Sequence, residues 1–113
     1  MWRWLDGEIE LNKNDLTIIF SRIRDLEHDC EKRTVKMIKS FDLPIDLEKY
    51  ICEANIYTLF YNLAKEKRCW FPADVGPSSM KDAFALIPKT IYGSRTRNSM
   101  SKELFTIMEK YIK

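Results

Sequence analysis

Glycine and proline are scarce in this chain, since its 113 residues include three Gly and four Pro. All-β folds need many tight turns, which these two residue types usually supply. Their shortage therefore argues against a sandwich or barrel and favours an all-α fold. A chain of this length can bury one hydrophobic core but not two, so we expect a single helical domain over residues 1–113.

Cysteine and histidine are also few. Cys30, Cys52 and Cys69 are odd in number and widely spaced, which predicts reduced thiols rather than a disulfide framework. Cys30 and Cys52 fall on apolar helix faces, where we expect them to be buried. His28 is the only histidine, and two nearby aspartates do not complete a dinuclear carboxylate site with it. We predict neither a metal nor a cofactor.

Common catalytic and targeting motifs are missing as well. The sequence contains no P-loop, no G-x-G-x-x-G and no G-x-S-x-G. No apolar run approaches the roughly 18–20 residues of a membrane span. The opening MWRWLDGEIE has no uninterrupted apolar region of the kind a signal peptide requires. These absences predict a non-enzymatic, cytoplasmic protein with no membrane partner.

Helical periodicity, in contrast, is strong. The first predicted helix runs from about Asn14 to Phe41, with Asn14 or Asp15 as its cap. At about 100° per residue, its apolar side chains share one arc of roughly 120°. The arc consists of Leu16, Ile19, Phe20, Ile23, Leu26, Cys30, Met37, Ile38 and Phe41. We expect this arc to pack on the core.

Three further helices complete a predicted four-helix domain. The second, from about Asp46 to Arg68, is apolar over most of its circumference and is therefore predicted to be central. A short third helix follows an S-x-x-D capping box at Ser79. The last helix runs from about Ser99 to Ile112, with Asn98 or Ser99 as its cap.

The aromatic N-terminal residues, including Trp2 and Trp4, are too apolar to remain in water. Two arrangements are open for this stretch. It forms either an extended arm packed by its tryptophans or a two-stranded ribbon in which EIEL pairs with KTIY at residues 89–92. Trp70 is predicted to fold back on the bundle from the loop after the second helix.

A tyrosine edge on the second helix is the first candidate surface. Tyr50, Tyr57 and Tyr61 lie within about 40° of each other, and Arg68 and Trp70 follow them along the chain. Aromatic rings beside cations anchor protein interfaces or stack on bases. Alternatively, the tyrosines line the rim of the core with their hydroxyl groups in water.

A basic loop is the second candidate surface. Lys89, Arg95, Arg97 and Lys102 flank or occupy the stretch IYGSRTRNSMSKEL before the last helix, where amide groups and arginines can bind anions. We expect the basic residues that end the second helix to lie at the same end of the bundle. Residues 65–102 carry a net charge of +5, whereas residues 1–31 carry −4. The whole chain carries only +2, which does not require a nucleic-acid partner.

These features predict a protein–protein interaction module, such as a small inhibitor, immunity-type protein or adaptor that binds and blocks or positions one target. Its predicted partner-binding residues are Tyr50, Tyr57, Tyr61, Arg68, Trp70, Arg95 and Arg97. The alternative is a nucleic-acid-binding module that places Lys89, Arg95, Arg97 and Lys102 on phosphates. A third hypothesis makes the protein a subunit of a larger complex, with the long first helix as its assembly face. The oligomeric state and the partner's identity stay open.

Overall fold

The structure is a computed structural model that describes residues 1–92 and 99–112. The prediction of an all-α fold is confirmed, and no strand occurs in the described residues, so EIEL and KTIY form no ribbon. The α-helices are α1 (Trp2–Leu5), α2 (Lys13–Ser40), α3 (Leu47–Lys67) and α4 (Lys102–Glu109). Short 3-10 helices occupy Pro77–Ser79, Lys81–Leu86 and Lys110–Ile112.

Each longer helix begins at a polar side chain that accepts a hydrogen bond from a first-turn amide. Asn12 accepts from the amide of Asp15 at 2.8 Å, so the predicted caps Asn14 and Asp15 are wrong. Asp46 accepts from the amide of Lys49 at 3.1 Å, as its predicted position at the start of the second helix implies. At α4, the cap is Ser101 rather than Ser99, while Asn98 lies outside the described residues.

The predicted short third helix is instead a pair of 3-10 helices, and Ser79 caps neither of them. Met80 and Ala83 in this segment are fully buried. The segment is therefore held by apolar side chains packed against α3, and a capping hydrogen bond is not needed to place it.

The N-terminal segment folds back on the ends of α2 and α3. Trp4 is buried and packs edge-to-face on Phe20 of α2, with ring centroids 5.7 Å apart. Arg68, in the left-handed conformation at the end of α3, places its guanidinium 4.9 Å from the Trp4 ring. Its nitrogens donate to the carbonyl oxygens of Trp4 at 2.9 Å and Ile9 at 3.2 Å. The predicted aromatic arm is thus one helical turn and an irregular stretch, held by the burial of Trp4 and by the hydrogen bonds of Arg68.

The predicted central role of α3 is confirmed, because α3 contributes to both hydrophobic clusters. The larger cluster joins α3 to the segment 71–92 and to α4. The smaller one consists of Trp4, Phe20, Tyr61 and Ala64, with the N-terminal segment packed around it. In the described part of the chain, no helix combines the length and the apolar character that crossing a membrane requires.

The orientation of α2 differs from the prediction. Its buried residues are Phe20, Arg24, His28, Val35 and Ile38. They span an arc of about 80°, whose centre is rotated by about 100° from the centre of the predicted apolar arc. Leu26, Cys30, Met37 and Phe41, which were expected in the core, are therefore exposed. Cys52 is buried as expected.

Candidate interaction surface

Polar groups explain why α2 turns its most apolar side outward. Arg24 donates from Nη1 to Oδ1 of Asn62 on α3, at 2.5 Å. His28 is buried and donates from Nε2 to the carbonyl oxygen of Tyr92. Buried polar groups must find partners, and these partners lie on α3 and the segment beside it. The buried side of α2 therefore combines Arg24 and His28 with the apolar Phe20, Val35 and Ile38.

Two of the predicted partner-binding tyrosines belong to this same seam. The hydroxyl of Tyr61 donates to Oε1 of Glu27 at 3.2 Å, and the hydroxyl of Tyr50 donates to Oε2 of Glu31. These pairs show that α2 and α3 are antiparallel, because Glu27 pairs with Tyr61 whereas Glu31, later on α2, pairs with Tyr50, earlier on α3. With 4% of its surface exposed, Tyr61 is a core residue rather than part of an outer edge.

The tyrosine hydroxyls in the seam are held in their neutral form. Burial, reinforced by the hydrogen bond to Glu31, raises the pKa of Tyr50 to about 12. Burial also raises the pKa of Tyr61, with the negative charge of Glu27 acting in the same direction. A buried phenol beside a carboxylate resists ionisation, because the second negative charge would lack both water and a cation. These hydroxyls are therefore structural donors.

Tyr57 and Trp70 keep part of their surface accessible. Trp70 is half-buried at the centre of an aromatic cluster, with ring centroids 5.1 Å from Trp2, 5.2 Å from Tyr61 and 6.1 Å from Tyr57. The predicted return of Trp70 onto the bundle is confirmed. Arg68 is occupied by the N-terminal segment, as described above. Whether Tyr57 or Trp70 contacts a partner stays a prediction.

The basic residues predicted to share one end of the bundle are separated. Lys89 forms an ion pair with Glu48 at 3.3 Å, beside the first turn of α3. Arg68 lies at the other end of that helix, 20 residues after Glu48 and thus about 30 Å from it. Lys102 is exposed at the start of α4. Arg95 and Arg97 lie outside the described residues.

A row of exposed residues follows one face of α2, and we call it the outer stripe: Leu26, Cys30, Met37 and Phe41. Its apolar side chains are extensively accessible, at 66% for Leu26, 56% for Met37 and 69% for Phe41. Cys30 is also exposed. On a helix these four positions lie within about 60° of one another. Leu43 and Ile45 extend the apolar surface into the loop that follows α2.

The N-terminal half of the same predicted arc is covered. Leu16 and Ile23 are partly buried against the cluster that contains Trp4. The N-terminal segment supplies this cover through Leu5, Ile9 and its tryptophan. Cover from the N-terminal segment thus ends near Ile23, and the outer stripe begins one turn later.

Charges along α2 change sign between residues 31 and 32, and Glu27 and Glu31 on the acidic side of this point are bonded to tyrosines of α3. The stretch 25–31 contains Asp25, Glu27, Asp29 and Glu31 and no Lys or Arg. The stretch 32–39 contains Lys32, Arg33, Lys36 and Lys39 and no Asp or Glu. We call these stretches the acidic block and the basic block. An apolar strip with opposite charges at its two ends can select both a partner and its direction.

A polar cleft of about 560 Å³ also opens between α2, α3 and the start of the C-terminal segment. Its lining residues are Thr17, Ser21, Arg24, Asn62, Lys65, Glu66, Met100 and Phe105. Lys65 donates to the hydroxyl of Thr17 at 3.1 Å. Neither a histidine nor a cysteine is among these lining residues.

Metal ligation and similarity to known proteins give no further guidance. Within residues 1–92 and 99–112, no three His, Cys, Asp or Glu side chains are grouped as metal ligands would be. Comparison with protein-family models, curated proteins and solved structures gave no match.

Proposed function

We propose that this protein is a non-enzymatic, cytoplasmic interaction module that binds another protein through the outer stripe of α2. The observation that carries the proposal is the exposure of Leu26, Met37 and Phe41 along one face of the α2 helix and its C-terminal end. Contiguous exposed apolar side chains cost free energy in water and are typical of binding sites. Recognition of one helix face by a partner's groove or helix is a common mode of protein association.

The rest of the fold supports this use of α2. Arg24, Glu27, His28 and Glu31 bind groups on α3 or beside it, which holds the helix in one orientation. A stripe on a fixed helix binds with little loss of conformational entropy, and preorganisation of this kind increases affinity. A role as an inhibitor, immunity-type protein or adaptor is consistent with a preformed surface.

The nucleic-acid alternative has less support among the described residues. Lys89 is paired with Glu48, and Lys102 is the other predicted phosphate ligand that the structure describes. Lys89 also lines a cleft with Lys32, Lys36 and Lys39 of α2, which forms a basic surface, but Lys102 is not part of this surface. The protein-binding proposal is therefore preferred.

A photo-crosslinking amino acid tests the proposal in cells that make the protein. Placed at Leu26 or Met37, it should crosslink a protein that can then be identified and purified. Leu26→Gln should weaken binding to that purified protein by about tenfold or more. Ile18→Gln is the matched control, because Ile18 is also exposed on α2, at 42%, but lies outside the outer stripe. The proposal would be contradicted if both variants weakened binding equally, or if neither variant weakened it.

A further inference from the structure

We propose that the occupant of the outer stripe is a second copy of this chain, whose α2 pairs with the first in the antiparallel direction. This inference rests on the proposed function, because it names the partner of the same surface. Two independent features carry it: the spacing of the apolar residues and the order of the charged blocks.

The apolar spacing is that of a helix–helix seam. Leu16, Ile19, Ile23, Leu26 and Cys30 are separated alternately by three and four residues, and Met37 follows one heptad later. Residues at such spacing face a second helix, and the accessible part of the pattern is Leu26, Cys30 and Met37, with Arg33 at the position between the last two. Because the N-terminal segment covers Leu16 and Ile23, a partner helix has access mainly from there to the end of α2.

The order of the charges determines the direction. In a parallel, in-register pair, each acidic block would lie beside the other acidic block, and each basic block beside its like. In an antiparallel pair about the Glu31–Lys32 peptide bond, the exposed Asp29 of each acidic block lies beside the exposed Arg33 and Lys36 of the partner's basic block. Opposite charges favour the second arrangement, and juxtaposed like charges oppose the first.

The same arrangement also aligns the apolar side chains. Leu26 and Met37 lie equally far from the Glu31–Lys32 bond, on opposite sides of it. Leu26 of one copy therefore faces Met37 of the other, and the pair occurs twice. Asp29 and Lys36 are exposed and flank this contact, so they approach each other across the seam. The charge order and the apolar register thus favour one alignment.

The contact is small compared with a standard interface, which uses roughly 20–30 residues from each partner. We therefore expect a weak dimer that forms in the micromolar range and dissociates on dilution. Light scattering during size exclusion, with a reductant present, should show the mass rise from 13.5 kDa towards twice that value as concentration increases. Leu26→Gln should raise the dissociation constant by about tenfold or more, whereas Ile18→Gln should leave it unchanged.

Disulfide trapping tests the direction separately. One tagged chain carries Leu26→Cys and one untagged chain carries Met37→Cys, both in a background with Cys30→Ser and Cys69→Ser. Under mild oxidation of the mixture, the antiparallel pair predicts mainly the mixed, tagged–untagged disulfide. Predominant 26–26 and 37–37 disulfides would overturn the antiparallel arrangement.

A charge exchange provides a second test of direction. Asp29→Lys should weaken the dimer by about fivefold, because it places lysine beside lysine at two symmetric positions. Asp29→Lys combined with Lys36→Asp should restore it. Lack of restoration would count against the proposed register.

The dimer and the proposed function can fail separately. A chain that stays monomeric at all accessible concentrations, yet binds a different purified protein through Leu26, overturns the second copy as occupant and retains the binding function. A chain that is monomeric and yields no crosslink at Leu26 or Met37 overturns both.

Discussion

The two halves of α2 carry the same apolar arc but have different surroundings. In the N-terminal half, Leu16 and Ile23 are partly buried beneath Trp4 and its neighbours. In the C-terminal half, Leu26 and Met37 are more than half exposed. The difference arises because the N-terminal segment packs on the part of the arc between Leu16 and Ile23. Periodicity marks both halves as places for contact, and among residues 1–92 and 99–112 only the first half is covered by another part of the chain.

The largest expected effect removes the cover. Trp4→Ala should lower the free energy of unfolding by about 3 kcal/mol or more, because it empties a buried site against Phe20. Trp2→Ala, at a position that is 53% exposed, should cost less than half as much. Chemical denaturation measures both. Equal losses would show that the segment is not anchored through Trp4.

A smaller effect is expected from the tether of the same segment. Arg68→Met keeps the side chain's length but loses hydrogen bonds to Trp4, Ile9 and Glu10. We expect about 2 kcal/mol of destabilisation, together with faster amide hydrogen exchange in residues 2–11. Lys67→Met, which breaks an ion pair with Glu109 near the surface, should cost about 1 kcal/mol or less. Unchanged exchange in residues 2–11 of Arg68→Met would contradict the tether.

Alkaline pH tests the seam that holds the C-terminal half. The folded protein raises the pKa of Tyr50 from 10.0 to about 12, so the folded state retains a proton that the unfolded state loses. The contribution of Tyr50 to the free energy of unfolding should therefore be fully present below about pH 10 and decline between about pH 10 and pH 12. Tyr50→Phe should lower stability by about 1 kcal/mol at neutral pH and reduce the alkaline decline. Denaturation midpoints across this pH range measure the decline. If stability declined equally in Tyr50→Phe, Tyr50 would not be a source of the alkaline loss of stability.

The smallest effect is expected at the outer stripe itself. Leu26→Gln and Met37→Gln should change the free energy of unfolding of the dilute protein by no more than about 0.5 kcal/mol, because both side chains are exposed. Denaturation at concentrations below dimer formation measures this. A loss of 2 kcal/mol or more would show that these side chains support the fold of a single chain.

Sequence patterns were sufficient for the helices but not for the orientation of α2. Apolar periodicity located α2 and α3 within one residue at each end, although the predicted caps of α2 were wrong. The rotation of α2 could not be deduced, because it depends on which polar side chains find partners across the seam. Arg24 and His28 lie at the edge of the predicted arc or beyond it, and their partners, Asn62 and the carbonyl of Tyr92, are distant in sequence.

The candidate site was only partly predictable for the same reason. Leu26 and Met37 were identified as a contact face, but periodicity alone does not say whether the contact is internal or with another molecule. For the tyrosine edge the reverse holds, because Tyr61 was predicted to contact a partner but is buried in the core. Exposure, which separates these cases, is a property of the assembled fold.

The reactivity of Cys30 shows whether the outer stripe is open in a single chain and covered by a second copy, because this exposed thiol lies in the stripe. Its rate of alkylation by iodoacetamide can be followed by peptide mass spectrometry over a range of protein concentrations, with half-buried Cys69 as internal reference. The account predicts fast alkylation of Cys30 in dilute protein and progressive protection at higher concentration, while the rate at Cys69 stays constant. Protection as complete as that of buried Cys52 in dilute protein would contradict an open stripe, and a rate independent of concentration would contradict its occupation by a second copy.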